Sequence, residues 1–477
     1  MDTIFVSDIK NNHYLYSYYR KQLIYLNPCL FDLCYSFCEE RRSLDEIENT
    51  LSYKYSDSEI KNAFKTFEVL RQNSFFNSYT PKTICSFNFS DFDLSGLRVV
   101  TFEVTQKCNL QCKYCINGEM YENHEFGIKE HNENLTFEKA MAVIDFVADR
   151  LSKGSSVKPQ FTFGFYGGEP LLQIELIKRI VDYIKCKMPS FIKILFNMTT
   201  NGILLRKHID FLIENKFQLM VSLDGNRRHS EYRIPKGQNK LYSIIFDNLK
   251  FIQKEHPDYF NDYLTFNSVF HDKVSLREMV TFFKKEFGKL PSISELSTTG
   301  IKDSKEYQQM FKSSDKAIEA IAEKLPISDY EFLSPRVSYI KKFFNNILIG
   351  RDIRNLPNIQ LEYAPKELVV SGTCMPFSFK LFVSSTGKLY PCEKIGYKYS
   401  IGYIDNNNQV IIDPTHVNEL YNSVFSEASN KCSTCYNIYS CTSCLLEHAG
   451  NCEYQTKEQF TKRLTDYIND LIKREYI

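Results

Sequence analysis

Residues 99–115 read VVTFEVTQKCNLQCKYC, a strand-like run followed directly by three cysteines with the spacing C-x3-C-x2-C. β-Branched and aromatic residues fill the run, which predicts that the cysteines lie on a loop at the end of a strand. Three thiolates on one tight loop, here Cys108, Cys112 and Cys115, can hold three corners of a 4Fe–4S cluster and leave the fourth iron open. Zinc or chance spacing is the alternative, although zinc favours four ligands in paired hooks and the nearest further one is His124.

Strand-like and helix-like stretches alternate from about residue 97 to residue 300. Stretches such as TFEKAMAVIDFVADRLSK and PLLQIELIKRIVDYIK carry apolar residues three and four positions apart, as helices do. The predicted strands are Val99–Thr105, Gln160–Tyr166, Lys193–Met198, Gln218–Leu223, Thr265–Phe270 and Ser292–Leu296. Repeated strand–helix units predict an α/β fold with a parallel sheet and helices outside it, either open or closed into a barrel. Reacting groups in such folds gather at the C-terminal ends of the strands.

Short polar or glycine-rich motifs follow three more of the predicted strands. They are Gly167-Gly168-Glu169-Pro170, Thr199-Thr200-Asn201-Gly202 and Ser222-Leu223-Asp224-Gly225. Paired glycines let a backbone approach a ligand closely, and the carboxylate of Glu169 can accept bonds from an ammonium group. One such turn is ordinary, and GGEP alone is equally compatible with a capped tight turn. Four motifs at successive strand ends indicate a single ligand at the mouth of one barrel.

CNLQCKYC, YGGEP, TTNG and SLDG together resemble the motifs of the radical S-adenosylmethionine (SAM) enzymes. The resemblance implies a partial (β/α)6 barrel, similar to a TIM barrel, in which the open iron of the cluster chelates the amino and carboxylate groups of SAM. Reductive cleavage of SAM then yields a 5′-deoxyadenosyl radical that abstracts hydrogen from the substrate. The residues that the resemblance places at the cofactor are Tyr114 beside the adenine, Gly167, Gly168 and Glu169 at the amino group, Asn201 and Ser222 near the ribose and carboxylate, and Arg233 as a further candidate for the carboxylate.

Seven further cysteines crowd residues 374–452. They are spaced as Cys374-x12-Gly387-x4-Cys392, then Cys432-x2-Cys435-x5-Cys441-x2-Cys444, then Cys452. This pattern resembles the SPASM extension of radical SAM enzymes, except that the last spacing in the tight run is two residues instead of three. The resemblance implies two auxiliary 4Fe–4S clusters, and so three clusters in all. A zinc knuckle is the alternative, but one tetrahedral zinc site takes fewer ligands than the seven cysteines present.

The resemblance also implies how the auxiliary clusters are held. The outer cluster takes Cys432, Cys435, Cys441 and Cys452, and the inner cluster takes Cys374, Cys392 and Cys444. The sequence has no cysteine between residues 186 and 374, so the inner cluster can keep an open iron for a substrate thiolate or another donor. Water or a non-cysteine ligand is equally compatible. Glu393 stands where sulfatase-maturing relatives carry an acidic proton acceptor, and a solvated glutamate is the alternative.

Residues 1–95 predict a small α+β domain with a winged-helix-like order of elements. HYLYSYYRKQLIYLN alternates in the way of two short strands around a tight turn, and helical patterns follow over residues 30–40, 44–51 and 58–72. This order resembles the precursor-peptide recognition domains that take a leader peptide as an added strand on a sheet edge. A structural wing packed on the barrel is the alternative. We expect the barrel at 96–300, a helical linker at 301–365 and the auxiliary cluster domain at 366–477.

Composition excludes other classes of function. Lys and Arg number 59 against 58 Asp and Glu, a net charge of +1, which disfavours binding of nucleic acid by bulk electrostatics. No apolar run approaches the roughly 18 residues that span a bilayer, and the start MDTIFVSDIKNN is unlike a secretory signal. We expect a cytoplasmic protein with no nucleic-acid or membrane partner. The family resemblance adds an electron donor such as flavodoxin or ferredoxin.

Three functions are compatible with these features. The first is a maturase of ribosomally synthesised precursor peptides, which installs a thioether or another side-chain cross-link. The second is a sulfatase-type maturase that oxidises one Cys or Ser to formylglycine and does not need the N-terminal domain. The third is a non-catalytic multicluster electron carrier, against which the open iron and the GGEP motif argue. The N-terminal domain favours the first.

Overall fold

A computed structural model of the chain describes residues 3–312 and 373–473 with short gaps. The gaps are at 21, 79–81, 84–87, 90–93, 95, 116–119, 122–132, 154–159, 234–238, 297–300, 437, 439–440, 442–443 and 449–453. Between the two spans it describes residues 317, 329, 332–333 and 367–368. Most of the linker predicted at 301–365 therefore lies outside the described residues.

An antiparallel sheet and three helices form the N-terminal domain. Its strands are β1 Thr3–Ser7, β2 His13–Ser17 and β3 Gln22–Leu26. Its helices are α1 Pro28–Cys38, α2 Leu44–Leu51 and α3 Asp57–Gln72, and the short strand β4 Lys82–Thr83 follows. A serine and a glutamate form a capping box at the start of both α2 and α3. The predicted hairpin and helices are confirmed, and β1, which was not predicted, adds a third strand.

The two faces of this small sheet pack against different partners. One face, with Leu15 and Ile24, shares a core with α1 and α3. The other face, with Tyr16 and Leu23, belongs to the main core of the molecule. The N-terminal domain is therefore attached to the rest of the chain through a buried sheet face.

The main sheet is built from successive parallel strands. Those described are β5 Val99–Thr105, β6 Gln160–Gly167, β7 Lys193–Thr200, β8 Gln218–Ser222, β9 Leu264–Phe270 and β10 Ser292–Glu295. The helices are α4 Phe137–Lys153, α5 Ile174–Lys187, α6 Leu205–Glu214, α7 Asn239–Glu255, α8 Pro257–Tyr263, α9 Leu276–Phe287 and α10 Lys305–Met310. Neighbouring strands follow chain order and pair in parallel. The predicted α/β fold with a parallel sheet is confirmed.

Side chains of the main sheet alternate between an outer apolar face and an inner polar face. On β6, Phe161, Phe163 and Phe165 are buried in the core that the surrounding helices share. Gly164 points the other way, where an added Cβ would collide with the side chains of Thr101 and Asn197. The inner face of the sheet therefore carries small and polar groups.

The main sheet continues into the cysteine-rich part of the chain. The short strand β11 Glu367–Leu368 pairs with β4, and β12 Lys380–Val383 pairs in parallel with β5. The strands β13 Lys388–Tyr390, β14 Gly402–Ile404 and β15 Val410–Ile411 extend the sheet in antiparallel fashion. The helices are α11 Pro414–Cys432, α12 Leu445–His448 and α13 Lys457–Lys473. No helix in the described parts is long and apolar enough to cross a membrane.

The N-terminal domain packs on this cysteine-rich part. Helix α13 lies against β1, and the ring of Tyr16 lies 5.7 Å from that of Phe460, centroid to centroid. The hydroxyl of Tyr18 donates to the carbonyl of Cys435 at 3.0 Å. The two ends of the chain therefore form one packed unit.

Candidate active site

The three-cysteine loop lies directly after β5, as predicted. The Cys115 amide donates to the Cys112 carbonyl at 3.0 Å, and the Leu110 amide donates to the Cys108 sulfur at 3.4 Å. Burial is the main cause that raises the pKa of Cys112 to about 12, and the nearby thiols of Cys115 and Cys108 add to it. The three thiols are therefore within electrostatic reach of one another.

The donor set of this loop fits an iron–sulfur cluster. Cluster irons take thiolate ligands, and a bound metal keeps a thiol deprotonated even where burial disfavours the free thiolate. Within the described parts of the chain, no three His, Cys, Asp or Glu side chains lie close enough together to hold a single metal ion. A cluster joins thiolates that are farther apart, because several irons and sulfides lie between them. Cys108, Cys112 and Cys115 would hold it.

The glycines of GGEP bring the end of β6 against the cysteine loop. The Gly168 amide donates to the Thr105 carbonyl at 2.8 Å, and the Glu169 amide donates to the Lys107 carbonyl at 2.9 Å. An added Cβ would collide with the Thr105 carbonyl oxygen at Gly167, whose φ is +137°, and with the Lys107 carbonyl oxygen at Gly168. The close approach that these glycines allow is to the cysteine loop, and their contact with the amino group of SAM stays a prediction.

The carboxylate of Glu169 is fully buried between the strand ends. Its Oε1 accepts bonds from the Thr200 hydroxyl at 2.8 Å and the Leu171 amide at 3.1 Å, and its Oε2 accepts from the Asn201 amide at 2.7 Å. Burial raises the pKa of Glu169 to about 7. A carboxylate offers about four acceptor positions, and donors of this chain use three of them. Glu169 thus holds the TTNG turn in place. One acceptor position of its carboxylate is left for the predicted contact with the ammonium group of SAM.

Asn201 connects the TTNG turn to the cysteine loop. Its Nδ2 donates to Asn109 Oδ1 at 2.7 Å and lies 3.7 Å from the sulfur of Cys108. Ser222, the last residue of β8, is half-buried at a nearby strand end. The structure brings both predicted residues to the same edge of the sheet.

Asp224 joins the SLDG motif to the aromatic residue between the cysteines. Its carboxylate accepts bonds from the Tyr114 hydroxyl, and from the Arg233 guanidinium and the Val269 amide, each at 3.0 Å. The side chains of Tyr114, Asp224 and Arg233 are all buried. Asp224 belongs to the predicted SLDG motif but has no predicted role of its own. Its signal in the sequence is a carboxylate placed directly after a strand of the barrel.

Arg233 is predicted at the carboxylate of SAM, whereas the structure pairs it with Asp224. Its guanidinium carbon also lies 5.5 Å from the centroid of the Tyr114 ring. The buried Nε of Arg233 has no hydrogen-bond partner within the described part of the chain. The predicted contact with a carboxylate would therefore run through Nε.

Cys374, Cys392 and Cys444 lie within electrostatic reach of the buried side chain of Tyr421. The hydroxyl of Tyr421 donates to the Cys374 carbonyl at 2.7 Å. Burial, followed by the nearness of all three thiols, raises the pKa of Tyr421. The thiols of Cys374 and Cys392 hydrogen-bond each other, which lowers the pKa of Cys374 and raises that of Cys392. The structure thus brings the three cysteines predicted for the inner cluster near one tyrosine, Tyr421, which was not predicted at the site.

The cysteines predicted for the outer cluster follow the end of α11. Cys432 is the last residue of that helix, and the Cys435 amide donates to its carbonyl at 3.2 Å. The Gln455 amide donates to the Cys435 sulfur at 3.5 Å. Cys441 follows in the same loop, and Cys452 lies outside the described residues.

Glu393 forms an ion pair with Lys380 of β12. The Nζ of Lys380 donates to Glu393 Oε2 at 2.5 Å, and the Cys392 sulfur lies 3.5 Å from the same oxygen. Burial by itself would raise the pKa of Glu393, but the charge of Lys380 holds that pKa below its ordinary value. The carboxylate is therefore ionised at neutral pH, as a proton acceptor must be. The pairing with Lys380 argues against the alternative, a glutamate free in solvent. Lys380 was not predicted at the site, because β12 was not predicted.

The fold and the strand ends together define a class of protein. A parallel sheet carries a three-cysteine loop after its first strand, and the GGEP, TTNG and SLDG turns all bond to that loop. Residues 102–285 match the Radical SAM superfamily. The chain carries a radical SAM domain and is a radical SAM enzyme, which uses SAM and an iron–sulfur cluster. This finding argues against the electron carrier.

Relatives resemble this chain at low identity. A cysteine-type anaerobic sulfatase-maturating enzyme of Clostridium novyi is 25% identical over 339 residues, 69% of this chain and 80% of the relative. A radical SAM cyclopropyl synthase of Paramaledivibacter caminithermalis is 27% identical over 243 residues, 49% of each chain. The solved structure of native anSMEcpe with bound AdoMet matches with a TM-score of 0.53 at 19% identity, over 79% of this chain and 98% of that one. The same protein with AdoMet and the Kp18Cys peptide gives a TM-score of 0.52. These two structures share the fold.

Proposed function

We propose that this chain is a radical SAM peptide maturase, which binds a ribosomally synthesised precursor peptide and installs a thioether or another side-chain cross-link. The proposal includes three 4Fe–4S clusters, one in the barrel and two in the C-terminal domain, and a flavodoxin- or ferredoxin-type electron donor. The observation that carries it is the N-terminal sheet, which keeps one edge unpaired in the part of the chain that the structure describes, while one of its faces is fixed to the cysteine-rich domain.

The free edge of the N-terminal sheet is β3. In the described part of the chain β3 pairs with β2 and with no other strand. At the opposite edge, β1 lies against α13, and the Ile9 amide just beyond it donates to Asn469 Oδ1 at 2.8 Å. Tyr25, near the end of β3, is 45% exposed. An extended peptide can add to such an edge through main-chain hydrogen bonds, with alternate side chains giving specificity.

The attachment of the N-terminal domain supports delivery of a bound peptide to the active site. The Tyr18 hydroxyl donates to the carbonyl of Cys435, a proposed ligand of the outer cluster, and the Tyr18 ring lies 5.1 Å from that of Tyr436. A leader peptide on β3 would therefore keep a constant distance from the cluster domain. We propose that the segment that follows the leader extends to the barrel mouth.

At the reaction site, the bound cluster and SAM supply the radical that abstracts hydrogen. The residues of the chain provide position and charge around them. Glu169 and Asn201 hold the strand ends against the cysteine loop, and Asp224 keeps Tyr114 buried beside it. Glu393, kept ionised by its lysine partner, would accept the proton that the substrate loses.

The inner cysteine set supports a link to sulfur. Cys374, Cys392 and Cys444 would supply three thiolates near one tyrosine, and a substrate thiolate is a chemically matched fourth donor. A carbon–carbon or carbon–oxygen link would need no such donor. The thioether is therefore the form of cross-link that we propose first.

A sulfatase-type maturase that makes formylglycine is the second candidate function. The likeness to the Clostridium novyi enzyme, and the shared fold with a protein solved with the Kp18Cys peptide, favour it. Glu393 would serve equally well as the proton acceptor of that reaction. The free edge at β3 has no part in it, so this edge distinguishes the two functions.

Replacement of Tyr25 by Asp tests the first function at the free edge. Candidate probes are short peptides from reading frames that neighbour the gene, each carrying a fluorophore, and their binding is measured by fluorescence anisotropy. We expect Tyr25→Asp to weaken binding about tenfold, because a buried interface tyrosine commonly contributes more than about 1 kcal/mol. Tyr53→Asp, at a position that is 91% exposed beyond α2, is the matched control and should change nothing. Equal binding by Tyr25→Asp and the unchanged protein would favour the sulfatase-type function.

A further inference from the structure

A buried amide on helix α7 holds the TTNG turn at its backbone. The Nδ2 of Asn248 donates to the carbonyl of Gly202 at 3.0 Å and to that of Ile203 at 2.9 Å. An amide nitrogen carries two hydrogens, so one bond can go to each carbonyl. Asn248 is 8% exposed, and a backbone carbonyl away from water needs a donor of this kind. Asn248 was not predicted at the site, because it lies 46 positions beyond Gly202 along the chain.

The TTNG turn is fixed both to α7 and to the cysteine loop. Gly202 has a φ of +86°, and an added Cβ there would lie 3.2 Å from the side chain of Ile245 on α7. Asn201 bonds to Glu169 through its main-chain amide and to Asn109 of the cysteine loop through its Nδ2. A shift of α7 relative to the turn would therefore be felt at the cysteine loop.

Helix α7 also supports the SLDG turn. The hydroxyl of the buried Tyr242 donates to the carbonyl of Gly225 at 3.2 Å. Gly225 has a φ of +124° and follows Asp224, whose carboxylate accepts the bond from the Tyr114 hydroxyl. One helix thus holds two of the three turns that bond to the cysteine loop.

We infer that Asn248 is a positioning residue for SAM, which acts through the TTNG turn. Its two bonds fix the backbone that follows Asn201, and the amide of Ile203 in turn donates to Asn201 Oδ1 at 3.1 Å. The orientation of the Asn201 side chain, which is predicted near the ribose and carboxylate of SAM, therefore depends on Asn248. The inference concerns the binding of SAM and does not depend on the peptide proposed as substrate.

Anaerobic equilibrium dialysis of the cluster-loaded protein with SAM tests the inference. Asn248→Asp keeps the shape of the side chain but sets a carboxylate oxygen against the two carbonyls. We expect it to weaken SAM binding about tenfold at unchanged iron content, as the loss of one hydrogen-bonding group does when its effect reaches the ligand. Asn73→Asp is the matched control, because the Nδ2 of Asn73 likewise donates to a backbone carbonyl, that of Val69 near the end of α3. It should keep the original affinity for SAM.

A double-mutant cycle separates positioning of SAM from a role in stability alone. If Asn248 acts through Asn201, then Asn201→Ala should itself weaken SAM binding, and adding Asn248→Asp should weaken it less than about twofold further. A loss in the double variant equal to the product of the two single losses would overturn the inference, and so would unchanged affinity in either folded single variant. If Asn248→Asp does not fold, Asn248→Ala removes the same donor without adding charge, and unchanged affinity in that variant also overturns the inference.

Discussion

Single buried carboxylates hold the strand ends of this protein against the cysteine loop. Glu169 takes its donors from the TTNG turn, and Asp224 takes its donors from the cysteine loop and from Arg233. The charge of Asp224 is paired with the buried guanidinium of Arg233, and such a pair is stable only while both partners are present. The geometry of the site therefore depends on a few ion pairs and hydrogen bonds.

Asp224→Asn should destabilise the protein strongly, because it leaves the buried guanidinium of Arg233 without its counter-charge. We expect the free energy of unfolding to fall by about 3–5 kcal/mol. Glu231→Gln breaks the exposed pair with Lys273 and should cost less than about 1 kcal/mol. Urea unfolding followed by circular dichroism measures both variants. A loss in Asp224→Asn no larger than that in Glu231→Gln would contradict the buried pair.

Residue types at the site could be predicted from the sequence, but their partners could not. The cysteine, GGEP, TTNG and SLDG motifs are local patterns. The bond between Tyr114 and Asp224 joins residues 110 positions apart, and only the parallel order of the strands brings them together. The same holds for Lys380 and Glu393, because a local pattern carries no signal for which charges share the inner face of a sheet.

At the scale of secondary-structure elements, β5 is tied to the turn after β12 by a buried carboxylate. The Oε2 of Glu103 accepts bonds from the amide and the hydroxyl of Ser385, each at 2.9 Å. Burial raises the pKa of Glu103 above its ordinary value of 4.5. Because the folded-state pKa exceeds the unfolded-state value, the contribution of this group to stability is full below pH 4.5 and is lost as the pH rises through the folded-state pKa.

Glu103→Gln should remove this pH dependence, because Gln keeps an acceptor for Ser385 and cannot ionise. We expect its urea midpoint to exceed that of the unchanged protein at about pH 8, and the difference to shrink as the pH falls towards about 4.5. Glu138→Gln, exposed on α4, is the control and should follow the unchanged protein at every pH. A difference between Glu103→Gln and the unchanged protein that does not vary with pH would contradict the account.

The strands of the barrel were predicted to within a few residues, whereas β1 and β12 were missed. The barrel strands are apolar runs, and they are bounded by helices whose apolar residues recur every three to four positions. Strand β12 has four residues and begins with Lys380, whose charge faces Glu393, so its pattern is unlike that of a buried strand. Tertiary packing places β12 beside β5, and the local strand propensity of a sequence does not predict such packing.

At the scale of the whole molecule, one sheet runs from the barrel into the cysteine-rich domain, and the N-terminal sheet packs on that domain. The strand order from β10 to β5 continues through β12 to β15. Tyr16 and Phe460 belong to the same core as the barrel. The three proposed clusters and the proposed peptide edge are thus held by one connected body.

Replacing Cys108, Cys112 and Cys115 together by Ala should remove one cluster and leave the other two. The predicted auxiliary ligands, such as Cys432 at the end of α11, lie on elements other than the loop after β5, so we expect iron to fall from about twelve to about eight atoms per chain. Cleavage of SAM should cease in this variant. Iron and sulfide analysis after anaerobic reconstitution measures the change, and loss of all iron would show that the auxiliary sites are not independent clusters.

Mass spectrometry of the precursor peptide, after incubation with the reconstituted protein, SAM and excess reductant, tests peptide maturation most directly. The account predicts release of 5′-deoxyadenosine together with a peptide lighter by a pair of hydrogen atoms, in which one cysteine resists alkylation. A modified peptide whose cysteines can all still be alkylated would show that the cross-link joins carbon to carbon or to oxygen, and not to sulfur. An unchanged precursor, beside conversion of a sulfatase-type cysteine peptide to its aldehyde, would contradict the proposed function.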